Sequence, residues 1–236
     1  CLLPFAADFY RDAGANVEFI GHPLVDAIDG SGLPDSPAAR SAVGLAEAAP
    51  ILGLLPGSRT RELRALLPHM LDALEIVRES VEGATGVIAL SGSASDVTVA
   101  EVTRLAEKRG ATVVTGRTYE AIRASDAVLA ASGTVTLECA IVGTPMVIAY
   151  RLSSLTYAVV RRLVRVDHSG LPNLLVGRRA CPEYYQSEVT GRVLASAATE
   201  LLVSDAARAA QTQAFAEMRA KLGSPGAMSR AATAVI

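Results

Sequence analysis

The amino-acid sequence predicts an α/β protein built on a doubly wound parallel sheet. Strand-like runs of four to six residues recur along the chain and are apolar almost throughout, as strands buried on both faces are. Helical patterns separate these runs, and strands alternating with helices are typical of a parallel sheet with helices on both sides. Half of the 236 residues are apolar, which is enough for a sizeable core.

The elements follow one another in a Rossmann-like order. The predicted strands are 17–20, 51–55, 87–90, 112–115, 127–130 and 146–150, and the clearest helical patterns are 61–80, 95–109 and 134–142. Pro68 lies inside the first of these helices and predicts a kink or a late helix start, because proline lacks a backbone donor. Residues 1–3 are interpreted as a further buried strand without a polar lead, so we expect the natural N-terminus to lie upstream.

A turn-rich connection predicts the domain organisation. Gly30, Gly32, Pro34 and Pro37 fall within ten residues, a density typical of a linker. We therefore predict that residues 1–28 end a truncated N-terminal domain, that 29–40 form a linker and that 41–190 form the main Rossmann-like domain. Residues 191–236 are predicted to be helices that cover the sheet or reach another domain.

Composition excludes several classes of function. The 22 basic and 24 acidic residues give a net charge of -2, which argues against a nucleic-acid partner. Cys1, Cys139 and Cys181 are far apart, so neither a disulfide framework nor a zinc site is predicted and a reducing cytoplasm is the natural setting. The histidines show no metal-ligand spacing, and we predict no metal and no cofactor. No apolar run approaches the roughly 20 residues of a membrane span.

The first candidate site is the turn LPGSRTRE at 55–62, which follows a strand and opens a helix. Gly57 permits close backbone approach, and Ser58 and the first helical amides suit an anion. Arg59 adds a planar fork that matches phosphate oxygens. The alternative is an ordinary strand-to-helix turn with surface arginines.

The second candidate site, SGTVTLE at 132–138, has the same strand-to-helix setting. Ser132 or Thr134 could cap the helix, and with Gly133 their hydroxyls and amides could hold a diphosphate. Glu138, one turn further, could accept hydrogen bonds from ribose hydroxyls. The alternative is a plain N-cap with a solvated glutamate.

Two neutral amides form a third candidate site. Asn173 and Gln186 lie in otherwise apolar company and could recognise hydroxyls or a base edge, although buried amides as often satisfy loop backbone. His22 is a candidate general base, with a structural role as the alternative. Residues 155–166 combine apolar side chains with three arginines. This mixture could contact an anionic membrane surface or an acyl-bearing substrate, and the alternative is a helix packed on the sheet with its arginines in solvent.

Together these segments resemble the lipid-A-disaccharide synthase family, inverting glycosyltransferases of family 19 with the two-Rossmann-domain GT-B fold. The resemblance covers nearly the whole chain. It rests on Pro4-Phe5 with Phe9-Tyr10, and on FIGHPLVD at 19–26, LPGSRTREL at 55–63, SGTVTLE at 132–138, PMVIAYR at 145–151, LPNLLVGR at 171–178 and PEYYQ at 182–186.

The resemblance implies that this is the C-terminal part of an enzyme that joins UDP-2,3-diacylglucosamine to 2,3-diacylglucosamine 1-phosphate, without a metal. The donor would bind at Gly57, Ser58, Arg59, Ser132, Gly133, Thr134, Glu138, Asn173 and Gln186. Arg59 is the candidate catalytic residue, because the leaving diphosphate needs a cation. The general base is expected in the absent N-terminal half, so this fragment alone is expected to be inactive.

The resemblance also implies a cytoplasmic protein in peripheral contact with the inner face of the cytoplasmic membrane, and it allows a homodimer. Two departures, Ala6 in place of an acidic residue and Tyr184-Tyr185 in place of aliphatic ones, leave room for a related transferase with a changed acceptor. The other readings are an isomerase like UDP-N-acetylglucosamine 2-epimerase and a non-catalytic remnant that binds nucleotide sugars.

Overall fold

The computed structural model of the protein describes residues 1–151 and 168–235. Its strands are β1 (Ile51–Leu55), β2 (Thr85–Leu90), β3 (Ala111–Thr115), β4 (Ala127–Ala131), β5 (Met146–Tyr150) and β6 (Glu183–Tyr185). Its α-helices are α1 (Pro4–Asp12), α2 (Pro23–Asp29), α3 (Ser36–Ala42), α4 (Thr60–Ser80), α5 (Asp96–Lys108), α6 (Thr118–Ala124), α7 (Thr134–Val142), α8 (Leu171–Val176), α9 (Gly191–Val203), α10 (Asp205–Lys221) and α11 (Ala227–Val235).

The described strands form one parallel sheet in the order β3–β2–β1–β4–β5–β6. This is the doubly wound Rossmann order, in which the chain starts at the centre and winds outward in both directions. Helices α4, α5 and α9 pack their apolar residues on one face, and α6, α7, α8 and α10 pack on the other. The predicted fold class is therefore confirmed.

Alternation along β1 shows how one strand serves both faces. Leu52 and Leu54 belong to the core beneath α4 and α9, whereas Ile51 and Leu55 belong to the core beneath α7. All four are at most 3% exposed, because side chains alternate across a strand whose two faces are both covered.

The strand predictions between residues 51 and 150 are confirmed within two residues, but two others are wrong. Residues 17–20 and 1–3 form no strand, and neither segment pairs with the sheet. Instead the two segments meet each other: the Cys1 amino group donates to the Glu18 carbonyl (2.7 Å), and the Ile20 amide donates to the Cys1 carbonyl (3.1 Å). Pro4, in the first turn of α1, starts a helix before a strand can extend.

Three further details differ from prediction. Helix α4 begins at Thr60 and continues through Pro68, so the late start is wrong. Half of the predicted linker is helical, because the Asp35 carboxylate accepts from the Ala38 amide (3.0 Å) and caps α3. Strand β6 was not predicted, since its three residues are too few for a recognisable alternation. No helix among residues 1–151 and 168–235 is long and apolar enough to cross a bilayer.

The C-terminal helices both cover the sheet and reach the N-terminal segment. Helix α9 packs along α4, and α10 packs against α7 and α8. At the start of α11, the Asp26 carboxylate accepts from the amides of Gly226 and Ala227, and these bonds lower the pKa of Asp26. Arg230 Nε donates to the Ile20 carbonyl (2.8 Å). Residues 20–26 are thus fastened to the end of the chain.

Arg40 fixes the edge of the sheet opposite the strand ends that carry the candidate sites. Its guanidinium makes a bidentate pair with Asp126 (2.8 and 2.9 Å) and donates to the Ala124 carbonyl (3.1 Å). Asp126 in turn accepts from the Ile51 amide (2.8 Å), at the first residue of β1. With its side chain only 12% exposed, Arg40 connects α3 to the starts of β1 and β4.

Replacing Arg40 by alanine should lower the free energy of unfolding by about 2–3 kcal/mol, because several charge-assisted hydrogen bonds are lost and Asp126 loses its cationic partner. Urea unfolding measures this loss. The control is Arg11→Ala, which removes an exposed pair with Asp8 (2.8 Å) and should cost less than about 0.5 kcal/mol. Equal losses in the two variants would contradict the prediction.

Candidate functional site

A cavity of about 600 Å³ opens at the carboxyl ends of β1, β2, β3 and β4. Strand order reverses between β1 and β4, and open α/β sheets bind ligands in the crevice at such a switch point. The cavity is lined by residues that follow each strand: Leu55, Gly57, Ser58, Arg59 and Glu62 after β1; Ala89, Ser91 and Gly92 at β2; Gly116, Thr118, Tyr119 and Glu120 after β3; and Ala131, Ser132, Gly133, Thr134, Val135 and Glu138 at β4.

The first turn joins β1 to α4 and forms one wall of the cavity. Gly57 has a φ of 102°, a left-handed conformation that favours glycine. Arg59 is the N-cap residue of α4 but makes no side-chain cap, so the amides of the first turn remain open toward an anion. The Arg59 side chain is 81% exposed, and its Nη1 pairs with Glu62 Oε1 at 2.7 Å.

The second turn joins β4 to α7 and forms the facing wall. Gly133 is the N-cap residue with a φ of 152°, and no side chain caps the helix. The prediction that Ser132 or Thr134 caps α7 is therefore wrong: glycine takes the cap position, and Thr136 Oγ1 donates to its carbonyl (2.7 Å). The first amides of α7, like those of α4, have no side-chain partner at the cap.

The two turns lie on adjacent strands, since β1 and β4 pair directly from Leu52 with Ala127 to Leu55 with Ala130. The structure thus brings together seven of the predicted donor residues around one cavity: Gly57, Ser58, Arg59, Ser132, Gly133, Thr134 and Glu138. Two helix N-termini converge there, and each carries partial positive charge. The arrangement suits an extended ligand with an anionic centre.

Glu138 lies partly buried on the cavity wall, one turn into α7. Burial raises the pKa of its carboxyl group. Tyr119 lines the same cavity, and burial together with the charge of Glu138 raises the pKa of its phenol. Sequence reasoning missed Tyr119, Ser91 and the glycines after β2 and β3. The available signal was their position after predicted strands, because parallel strands end at the same edge.

Asn173 is placed outside the residues that line this cavity. It is fully buried, and its Nδ2 donates to the Cys181 carbonyl (2.8 Å) and to Glu183 Oε1 (2.5 Å). Its Oδ1 accepts from the amides of Ala180 and Cys181 (2.8 Å each). Both donors and both acceptor positions of the amide are therefore used within the protein.

The buried partner of Asn173 is Glu183, a residue for which no role was predicted. Glu183 is 5% exposed and has no basic partner among the described residues. It accepts instead from the amides of Ser169 and Gly170 (3.1 Å each) and from the Tyr185 hydroxyl. Such donors replace the hydration that a buried carboxylate loses. This network holds the start of α8 against β6.

Gln186 follows β6 and is likewise not among the residues that line the cavity. Gln186 has a φ of 49°, and no other non-glycine residue in the described part of the chain has a positive φ. Glutamine in this conformation is uncommon, and such backbone persists only where its surroundings enforce it. The structure therefore leaves Gln186 near the strand ends but apart from the seven clustered residues.

Two of the three histidines, His22 and His69, have structural contacts. His22 Nδ1 accepts from the Leu24 amide (3.2 Å) and caps α2, and burial lowers the pKa of its imidazole. His69 contacts Arg151, and burial together with that cation lowers its pKa. These contacts favour the structural alternative for His22.

The described residues contain no cluster of His, Cys, Asp and Glu fit to hold a metal ion. Cys139 and Cys181 are buried free thiols, and burial raises the pKa of Cys181 to about 12. Both thiols are protonated near neutral pH and are therefore poor nucleophiles. The segment 155–166, which carries the three arginines, lies outside the described residues.

Comparison with known proteins identifies the family. The family model described as "Lipid-A-disaccharide synthetase" matches residues 1–235. The chain belongs to the lipid-A-disaccharide synthase family. It is 40% identical over 239 residues to the lipid-A-disaccharide synthase of Myxococcus xanthus (strain DK1622), an alignment that covers 100% of this chain and 61% of that protein. The chain thus spans about three fifths of the length of such lipid-A-disaccharide synthases.

Solved structures support the fold. A Listeria monocytogenes protein described as a UDP-N-acetylglucosamine 2-epimerase matches with a TM-score of 0.58 at 13% identity, over 90% of this chain and 52% of that chain. WaaG, a glycosyltransferase involved in lipopolysaccharide biosynthesis, matches with a TM-score of 0.52 at 16% identity, over 86% and 50%. At these identities the likeness shows the fold alone, and the family match does not favour the isomerase alternative.

Replacing Glu138 by glutamine tests the burial of this carboxyl group. Because its pKa is raised, the folded state holds the proton more tightly, so the stability from this group falls as the pH rises through the raised pKa. We expect Glu138→Gln to be more stable than wild type at about pH 7, and the difference to shrink toward about pH 4. Urea unfolding across this range measures it. A constant difference would contradict the expectation.

Replacing Asn173 by alanine tests its structural role. Four hydrogen bonds are lost inside the protein, so the free energy of unfolding should fall by about 3 kcal/mol. Gln213→Ala, an exposed amide on α10, is the control and should change it by less than about 0.5 kcal/mol. Unchanged stability in Asn173→Ala would show that the buried network does not depend on this amide.

Proposed function

We propose that this chain is the UDP-sugar-binding part of an inverting glycosyltransferase. The complete enzyme transfers the sugar of UDP-2,3-diacylglucosamine to 2,3-diacylglucosamine 1-phosphate and releases the lipid A disaccharide 1-phosphate and UDP. The observation that carries the proposal is the cavity between β1 and β4, where two helix N-termini without side-chain caps converge beside Arg59. Membership of the lipid-A-disaccharide synthase family supplies the reaction.

The diphosphate lies between the two turns in this proposal. Backbone amides at the starts of α4 and α7 donate to its oxygens, and Ser58, Ser132 and Thr134 contribute hydroxyls. As the acceptor hydroxyl attacks the anomeric carbon, the bond from that carbon to the diphosphate breaks and negative charge grows on the leaving UDP. Arg59 stabilises this charge, which is the catalytic role we assign to it.

Glu138 recognises the ribose in the same proposal. An ionised carboxylate accepts hydrogen bonds from two adjacent hydroxyls, and partial burial strengthens them by lowering the competition from water. Asn173 acts indirectly, because its amide is consumed within the protein and it holds the loop before β6. Gln186 remains a proposed contact to the donor.

The remaining parts of the proposal concern the complete protein. The general base that takes the proton of the acceptor hydroxyl belongs to the N-terminal half, so this chain alone does not turn over. Because both substrates carry acyl chains, we propose peripheral contact with the inner face of the cytoplasmic membrane. A homodimer stays a prediction.

Arg59→Ala should weaken the binding of UDP by the chain at least about tenfold, since a charge-assisted contact to the diphosphate is lost. Calorimetric titration with UDP measures the change. Arg64→Ala is the matched control: Arg64 lies on the same helix, is 71% exposed outside this cavity, and its loss should leave the affinity unchanged.

In the complete protein, Arg59→Ala should slow sugar transfer from the diacylated UDP donor more than it weakens binding, because charge on the leaving group is greatest in the transition state. Turnover equal to that of wild type would remove Arg59 from the proposed role. A wild-type chain without affinity for UDP would overturn the donor site itself.

A further inference from the structure

We infer that Glu62 is a positioning residue that holds the Arg59 guanidinium at the mouth of the cavity and, with it, sets the affinity for the diphosphate. This inference rests on the proposed function, because it assigns a role within the same donor site. The observation behind it is the contact of Glu62 Oε1 with Arg59 Nη1 at 2.7 Å.

Glu62 lies between the turn and the helix, and its side chain is 30% exposed. It lies in the first turn of α4, where the helix N-terminus stabilises a negative charge. Its side chain packs directly over Gly57: a Cβ placed on that glycine would lie 3.0 Å from the Glu62 Cβ and 2.5 Å from its Oε2. Glycine at position 57 therefore makes room for this carboxylate as well as for the turn.

Arg59, in contrast, has little else to hold it. Its side chain is 81% exposed, and Glu62 is the acidic partner that the described part of the chain provides. A free arginine side chain has many rotamers and loses conformational entropy when it is fixed. The contact with Glu62 removes part of this freedom in advance. Nη1 is engaged, which leaves other donors of the guanidinium for phosphate oxygens.

Glu62 can affect the affinity for a diphosphate in two ways, by repelling it and by positioning Arg59, and these two effects change the affinity in opposite directions. A carboxylate at the rim of an anion site repels a diphosphate, so neutralising it should strengthen binding if repulsion were its only effect. If Glu62 acts through Arg59, neutralising it should weaken binding instead. The direction of the change therefore separates the two roles.

The test is a double-mutant cycle on the whole chain, with UDP as the probe in calorimetric or NMR titration. We expect Glu62→Gln to weaken UDP binding about two- to fivefold, the range set by exposed ion pairs between neighbouring turns. In the Arg59→Ala background the same substitution should leave the affinity unchanged or raise it, since only repulsion remains. A purely structural role of Glu62 would weaken binding equally in both backgrounds.

Glu101→Gln is the matched control, because it also neutralises a glutamate near an arginine of α4, with Arg64 Nη2 at 4.0 Å from Glu101 Oε2 outside this cavity. It should leave UDP binding unchanged. The inference is overturned if the Glu62→Gln variant binds UDP as tightly as wild type, or if the substitution weakens binding equally in the wild-type and Arg59→Ala backgrounds. The proposed donor site would stand in either case. A wild-type chain without UDP affinity overturns the proposed function and this inference together.

Discussion

The pairing of β1 with β4 at the centre of the sheet is the constraint on which the candidate site depends. Because both strands are buried on each face, their register is fixed by the core, and their carboxyl ends emerge side by side. Each strand then turns into a helix through a glycine with positive φ, Gly57 in one turn and Gly133 in the other. A pair of positive helix ends in one crevice follows from this packing alone, without a charged residue.

Much of this could be predicted from the sequence, for a physical reason. Continuous apolar runs and turn glycines are local signals, and they located five strands and both turns of the cavity. The adjacency of those turns followed from the fold class, since a doubly wound sheet brings the ends of its central strands together. Segment 17–20 misled because an apolar run identifies a strand only where another strand pairs with it, and the sequence does not show that partner.

Sequence patterns do not show whether a polar side chain faces a cavity or is hydrogen-bonded inside the protein. In the sequence, Asn173 and Glu138 are both polar groups near strand ends. In the structure, the amide of Asn173 donates to the buried carboxylate of Glu183, whereas Glu138 lines the cavity. The difference lies in a contact across ten residues of chain that no local pattern encodes. Tyr119 was missed because an aromatic residue is more often part of a core than of a binding site.

The hydrogen bonds of Asp26 and Arg230 restrict how the N-terminal segment can move relative to α11. Residues 20–26 and the first turn of α11 are joined by hydrogen bonds in both directions, from two amides to Asp26 and from Arg230 to the Ile20 carbonyl, so neither segment can shift alone without breaking them. Any bending of the chain at Gly21 would have to carry α11 with it or first break those bonds.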